Sequence, residues 1–257
     1  MIDLSSAYNG KVFLGELPAT VDDPLGELAL LAPGGPNRKV FVSQSAERAM
    51  HVAMARLEGP WTRYGGFVPG GVGTILVDPL EWGKHLPGLA EMCREKRVNL
   101  VSDERMTSPG LSGHPFLCEA FGVKPDALLL GKGWVNARDF YGFIARPSRL
   151  TEPLPSSEEI DQTALAMVIA GLRRRGLEMA REKGRLIKAL LDQKGVPARG
   201  AGALWLLDIP EPERVAGSLA TAGFKITCRE NSLVLSPALD LPEDTFRVGL
   251  EALGNLL

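Results

Sequence analysis

The sequence predicts an α/β protein: a mainly parallel central sheet with helices on both faces, followed by a small C-terminal α/β unit. Three observations carry this prediction. Short, nearly all-apolar runs alternate with amphipathic stretches of helical period, the pattern of strands buried on both faces. Glycine (29 residues) and proline (19) punctuate those runs as turns. After residue 157 the alternation gives way to one long helical stretch and a second, shorter series of strands and helices.

Taken in order, residues 39–42 (Lys-Val-Phe-Val) read as the first strand. The polar turn Ser43-Gln44-Ser45-Ala46-Glu47 then opens a helix over 48–57, where apolar residues recur at helical spacing. Residues 73–79 read as a strand closed by Pro79, 87–96 as an amphipathic helix and 98–103 as a third strand. Residues 127–130 (Ala-Leu-Leu-Leu) supply a fourth strand and 141–145 a fifth. From Glu158 a helical stretch runs to about Lys194. Its outer side carries Arg173, Arg174, Arg175, Arg181 and Lys183, which read as a solvated helix face rather than a binding patch. Beyond Gly195, strands are expected over 203–209, 224–227 and 233–235, with helices over 213–222 and 243–256. The division that follows is a compressed N-terminal segment over 1–38, a large domain over 39–157 and a linking helix with a small domain over 158–257. The Pro- and Ser-rich stretch 151–157 is the linker.

Composition removes several function classes. A chain of 257 residues with 45% hydrophobic and 23% charged residues can bury a sizeable core. A formal charge of −2, with no patch of basic residues among aromatics, argues against nucleic acid as a partner. The apolar runs are too short to cross a bilayer, and Met1-Ile2-Asp3-Leu4 lacks a charged-then-apolar leader. No membrane partner and a cytoplasmic address are therefore expected. Cys93, Cys118 and Cys228 are scattered, as are His51, His85 and His114. Neither a disulfide framework, a metal site nor a Ser-His pair is indicated, and the cysteines read as reduced, mostly buried thiols.

The chemistry concentrates in residues 103–133. Asp103 ends one expected strand, and Lys132 stands between Gly131 and Gly133 just after another. A lysine held at the end of a buried strand is partly desolvated, which lowers its amine pKa and favours the nucleophilic free base. Enzymes using pyridoxal 5′-phosphate (PLP) need such an amine, together with a carboxylate that keeps the pyridine nitrogen protonated. A strand-end aspartate and a lysine alone are too common to decide this. The whole segment decides it: Asp103-Glu104-Arg105-Met106-Thr107, the turn from Gly110 to Gly113, Glu119 through Gly122-Val123 to Pro125-Asp126, and Gly131-Lys132-Gly133, with Asp103 and Lys132 29 positions apart.

In order and spacing these residues resemble the signature of the class III aminotransferases, the ornithine, acetylornithine and 4-aminobutyrate kind. The resemblance implies the PLP-dependent transferase fold type I, PLP as cofactor, small-molecule amino and keto substrates, and a homodimer. It implies that Lys132 holds PLP as a Schiff base and then serves as the base that moves a proton, with Asp103 under the pyridine nitrogen. The turn Ser43-Gln44-Ser45-Ala46 resembles the family's phosphate-binding turn, with Ser45 and Ala46 as the expected contacts beside Ser43. Free N–H groups at a helix start favour an anion, although an ordinary serine N-cap gives the same pattern. Tyr64, before Gly65-Gly66, is the candidate for the aromatic that stacks on the cofactor, or else covers the core.

The chain also departs from the family pattern. It is shorter, most of all before residue 39. Met106 stands where members carry a glutamine that touches the cofactor. Val234 lies near the place of an arginine that grips a substrate carboxylate, a task valine cannot perform. Residues 154–157 replace a threonine-containing turn. The first expectation is an aminotransferase. The alternatives are a PLP-dependent racemase, decarboxylase or lyase, since bond choice depends on substrate orientation, or a non-catalytic homologue that keeps the fold.

Overall fold

Alternation within the strands decides where the core lies. In this computed structural model, residues 1–15, 21–136 and 138–257 are described, and of Lys132 the backbone alone. Strands β1 (Ile2–Asp3), β2 (Lys39–Ser43), β3 (Trp61–Arg63), β4 (Thr74–Val77), β5 (Asn99–Glu104), β6 (Ala127–Leu130) and β7 (Tyr141–Ala145) occupy the first part of the chain. All but β1 join one six-stranded sheet in the order β2-β7-β6-β5-β4-β3. The run from β3 to β6 is parallel, whereas β7 is antiparallel to both β6 and β2. Val42, Ile75, Val77, Leu100, Leu128, Leu130 and Ile144 point into one hydrophobic cluster. Their neighbours Phe41, Leu76, Val101, Leu129 and Phe143 point into another on the opposite face. A sheet covered on both sides needs apolar residues at successive positions, which is why these strands were readable as continuous runs.

The helices of this part are α1 (Pro24–Leu31), α2 (Ala46–Arg56), α3 (Pro79–Trp82), α4 (Leu86–Lys96) and α5 (Leu117–Ala120). Ser45 caps α2, its hydroxyl accepting from the N–H of Arg48 at 3.2 Å, with Glu47 in the first turn and Arg56 in the last. Asp78 caps α3, accepting from the Leu80 N–H at 2.9 Å. The long helical stretch is α6 (Gln162–Gly171), a π turn over Leu172–Gly176, and α7 (Leu177–Lys194), closed by Gly195 at φ 63°. It starts at Gln162, four residues after the expected Glu158, because Asp161 caps it by accepting from the Ala164 N–H at 2.8 Å.

The remaining strands are β8 (Ala198–Ala201), β9 (Leu204–Asp208), β10 (Phe224–Lys225), β11 (Thr227–Arg229) and β12 (Ser232–Leu235), with α8 (Pro212–Thr221) and α9 (Glu243–Gly254). The expected strand over 224–227 is two: β10 pairs with β1, while β11 belongs to an antiparallel sheet ordered β11-β12-β9-β8. Leu207, Leu233 and Leu235 face α7, α8 and α9 in their own cluster. Leu204, Leu206 and Val234 face the other way, into the cluster of the six-stranded sheet. The small sheet is thereby fixed to the large one through apolar contact.

Candidate active site

The carboxyl ends of β3, β4, β5 and β6 lie along one edge of the large sheet, the edge where open parallel sheets present their polar groups. Adjacent side chains at the end of β5 do different work there. Glu104 is fully buried. It accepts from the N–H groups of Leu117 (3.0 Å) and Cys118 (2.9 Å), and from the hydroxyls of Thr107 and Ser102. Burial raises its pKa while these donors oppose the rise, and the same burial, with Glu104 beside it, drives the Cys118 thiol well above its ordinary value. Glu104 anchors the turn that follows the strand.

Asp103 is 8% exposed, and both of its carboxyl oxygens are engaged. Its Oδ1 accepts from Arg105 Nε at 2.7 Å and from the Arg105 N–H at 3.3 Å, and its Oδ2 accepts from Arg105 Nη2 at 2.7 Å. Arg63, at the end of β3, brings a second guanidinium to 3.5 Å. A fork-to-fork guanidinium and carboxylate pair is the strongest form of this contact, and it raises the Arg105 pKa in turn.

The register sets Leu129 of β6 opposite Asp103 and Leu130 opposite Glu104, so the chain reaches Lys132 two residues beyond the paired end. The side chain of Lys132 lies outside the described residues. Its backbone begins a 3₁₀ turn, Lys132–Val135, whose Trp134 packs on Phe116 with ring centroids 5.2 Å apart. The two flanking glycines have a steric cause. A Cβ on residue 131 would sit 2.1 Å from the Arg105 carbonyl oxygen, and one on residue 133 would sit 2.6 Å from Ser108 Oγ. Ser108 Oγ in turn donates to the Ala7 carbonyl at 2.6 Å. The lysine turn is therefore pressed against the segment that follows Asp103.

Ser43, Ser45 and Ala46 stand at the head of α2, separated from β6 by β7. This head already holds an anion. Glu158 Oε2 accepts from the Ser43 hydroxyl at 2.6 Å and from the Gln44 N–H at 3.0 Å, while Arg48 Nη1 lies 2.6 Å from Oε1. Those hydrogen bonds, the Ser43 hydroxyl foremost, hold the Glu158 carboxyl below its ordinary value. Sequence reasoning missed Glu158, and also Arg105 and Arg63. Arg105 stood two residues from Asp103 and was open to notice; Glu158 is distant in sequence and left no local signal.

The other expected positions lie around this edge. The Tyr64 N–H donates to Leu76 at 2.8 Å, and the ring meets Trp82 edge to face at 5.0 Å. Met106 is largely exposed. Val234 is fully buried in β12, with Thr227 as its partner in β11. Two residues along β11, Arg229 emerges on the same face and reaches Asp78 Oδ2 at 3.4 Å. Cys93 and Cys118 are buried, and Cys228 is half-buried. Among the described residues there is no cluster of metal-ligating side chains and no helix long and apolar enough to cross a membrane.

Comparison with known proteins gives this edge its context. No family model matches the chain. Solved structures share its fold: an acetylornithine aminotransferase from Elizabethkingia anophelis matches with a TM-score of 0.76 at 17% identity, over 98% of this chain and 88% of that one. An ornithine aminotransferase from Toxoplasma gondii, whose active site holds PLP at partial occupancy, matches at 0.75 and 16% over 98% and 85%. The fold is thus that of the PLP-dependent aminotransferases.

Among curated proteins, a 4-aminobutyrate aminotransferase from Mycobacterium leprae is 26% identical over 218 residues, 71% of this chain and 49% of its own length. An alanine/serine racemase from Pyrococcus horikoshii is 32% identical over 152 residues, 59% of this chain and 30% of its own. The chain matches less than a third of the racemase and about half of the aminotransferase. Its relatives thus include class III aminotransferases, matched over part of their length.

Proposed function

We propose that this chain is a PLP-dependent aminotransferase of the class III type, moving an amino group between small-molecule amino and keto substrates. The observation that carries the proposal is the packing of the Gly131-Lys132-Gly133 turn onto Arg105 and Ser108, which ties the lysine's backbone to the segment beginning at Asp103. The residues suit the cofactor in kind. A carboxylate already sits on the donors at the head of α2, so that head accepts an anion, and two guanidinium groups already sit on Asp103, so that carboxylate accepts a cation.

PLP, when bound, supplies a ring that withdraws electrons from the substrate carbon bearing the amine. Lys132 would hold the cofactor's aldehyde carbon and, once freed, move the proton at that substrate carbon. Asp103 would hold the ring nitrogen protonated. Ser43, Ser45 and Ala46 would hold the phosphate, with Tyr64 and Met106 bordering the ring. We read the working form as a cytoplasmic homodimer, divided at residues 38 and 157. What supports the homodimer is the family resemblance of the segment from Asp103 to Gly133, and its test is the mass of the purified chain by light scattering.

The experiment that tests the activity is an absorption spectrum of the purified protein with and without added PLP. A visible band of lysine-bound PLP, absent in Lys132→Ala, is expected, and an amino donor should convert PLP to pyridoxamine phosphate. Absence of any Lys132-dependent band at saturating PLP refutes the proposal.

A further inference from the structure

The two charged groups that PLP would bring to this site, an anionic phosphate and a cationic ring nitrogen, each have a counterpart of like charge already in place. Glu158 sits at the anion end. Its carboxylate uses the Ser43 hydroxyl, the Gln44 N–H and the Arg48 guanidinium, and the Ser43 oxygen in turn accepts from the Ser45 N–H at 2.9 Å. The segment carrying it is laced to the end of β2. The Glu158 N–H donates to the Val42 carbonyl at 2.9 Å, the Val42 N–H donates to Ser157 Oγ at 3.1 Å, and the Gln44 amide donates to the Glu159 carbonyl at 3.0 Å. Arg105 sits at the other end, its fork on both oxygens of Asp103.

Two anions cannot share one set of donors at hydrogen-bond range without strong repulsion, and two cations competing for one carboxylate divide its charge. We propose that Glu158 and Arg105 are internal occupants of the two ends of the cofactor site, so that PLP binds only by displacing the Glu158 carboxylate and by taking an Asp103 oxygen from Arg105. This inference rests on the PLP reading above. It makes residues 157–159 a latch that closes the phosphate end when no cofactor is present. Ser157 and Glu158 thereby acquire a role in binding although neither is expected to take part in the chemistry.

The test is equilibrium binding of PLP, and of pyridoxal, which lacks the phosphate, to the full chain, followed by absorbance. Wild type, Glu158→Gln, Arg105→Met and the double variant are compared, and the unliganded melting of each is recorded. Glu158→Gln should bind PLP about tenfold or more tightly with little change for pyridoxal, because only the phosphate meets that carboxylate. Arg105→Met should tighten both. Both variants should melt only slightly lower when empty, since each loses an ion pair of small net worth. A merely structural role predicts lower melting together with weaker binding, and that result overturns the inference. So does an unchanged ratio of PLP to pyridoxal affinity in Glu158→Gln. If wild type shows the Lys132-dependent band and the variants bind no better, the PLP reading stands and the inference falls. If even the double variant shows no such band, both fall.

Discussion

The carboxyl edge of the large sheet and the face of the small sheet packed against it are built from opposite materials. At the edge, charged side chains are held in pairs: Asp103 with Arg105 and Arg63, Glu158 with Arg48, Asp78 with Arg229. On the small sheet's inner face, Leu204, Leu206 and Val234 are buried with no polar partner to satisfy. Pairing at the edge offsets the cost of removing charge from water and leaves little net stability, whereas the apolar face contributes through buried area. Binding and stability should therefore respond to different residues. Substitutions at the edge should change what is bound, and substitutions on the inner face should change whether the chain stays folded.

The largest expected effect breaks this comparison if it fails. Lys132→Ala should lower turnover by about a thousandfold or more. Its melting temperature should stay within about 3 °C of wild type, because the flanking glycines make the close packing contacts of that turn. A collapse in melting would mean that the edge is a stability element after all. Leu206→Ala probes the other side. Removing a buried side chain shared with the large sheet's cluster should cost about 2–5 kcal/mol in urea denaturation. PLP affinity of the remaining folded protein should change by less than about twofold. A loss of affinity in step with stability would join the two regions into one.

The same contrast explains what could be read beforehand. The strands at 127–130 and 141–145 fall where expected, because a doubly covered sheet writes itself as an unbroken apolar run. Ala198–Ala201 escaped notice: Ala-Arg-Gly-Ala has neither such a run nor alternation, and it forms a strand through its pairing with β9. Trp61–Arg63 was not among the expected strands, because three residues at a sheet edge carry no period. Residues 158–161 carried a pattern that continued into the helix, yet tertiary hydrogen bonds to β2 and the Asp161 cap keep them outside it. At the site, Asp103 and the Gly-Lys-Gly turn were legible as a motif. The partners that occupy its charges were not, since Glu158 meets Ser43 across 115 positions and only folding brings them together.

The smallest of the expected effects sharpens the edge side of the comparison. Beneath Asp103, the turn from residue 107 to 119 hangs on two carboxyl groups, Glu104 and Glu119, and Glu119 accepts from the Phe116 N–H at 3.1 Å. Burial pushes the Glu119 carboxyl up from 4.5 to about 7, with Glu104 nearby adding to the rise. An acid with a raised pKa keeps its proton in the folded chain at pH values where the unfolded chain has lost it. The folded chain then binds more protons than the unfolded one between pH 4.5 and about 7, so stability should fall as pH rises through that window and level off above it. At a partly buried site the total should be about 1–2 kcal/mol after allowance for solvent screening. Glu119→Gln should flatten that slope in urea denaturation taken across the window. Parallel slopes for variant and wild type would assign the dependence to another group and leave the turn held by Glu104 alone.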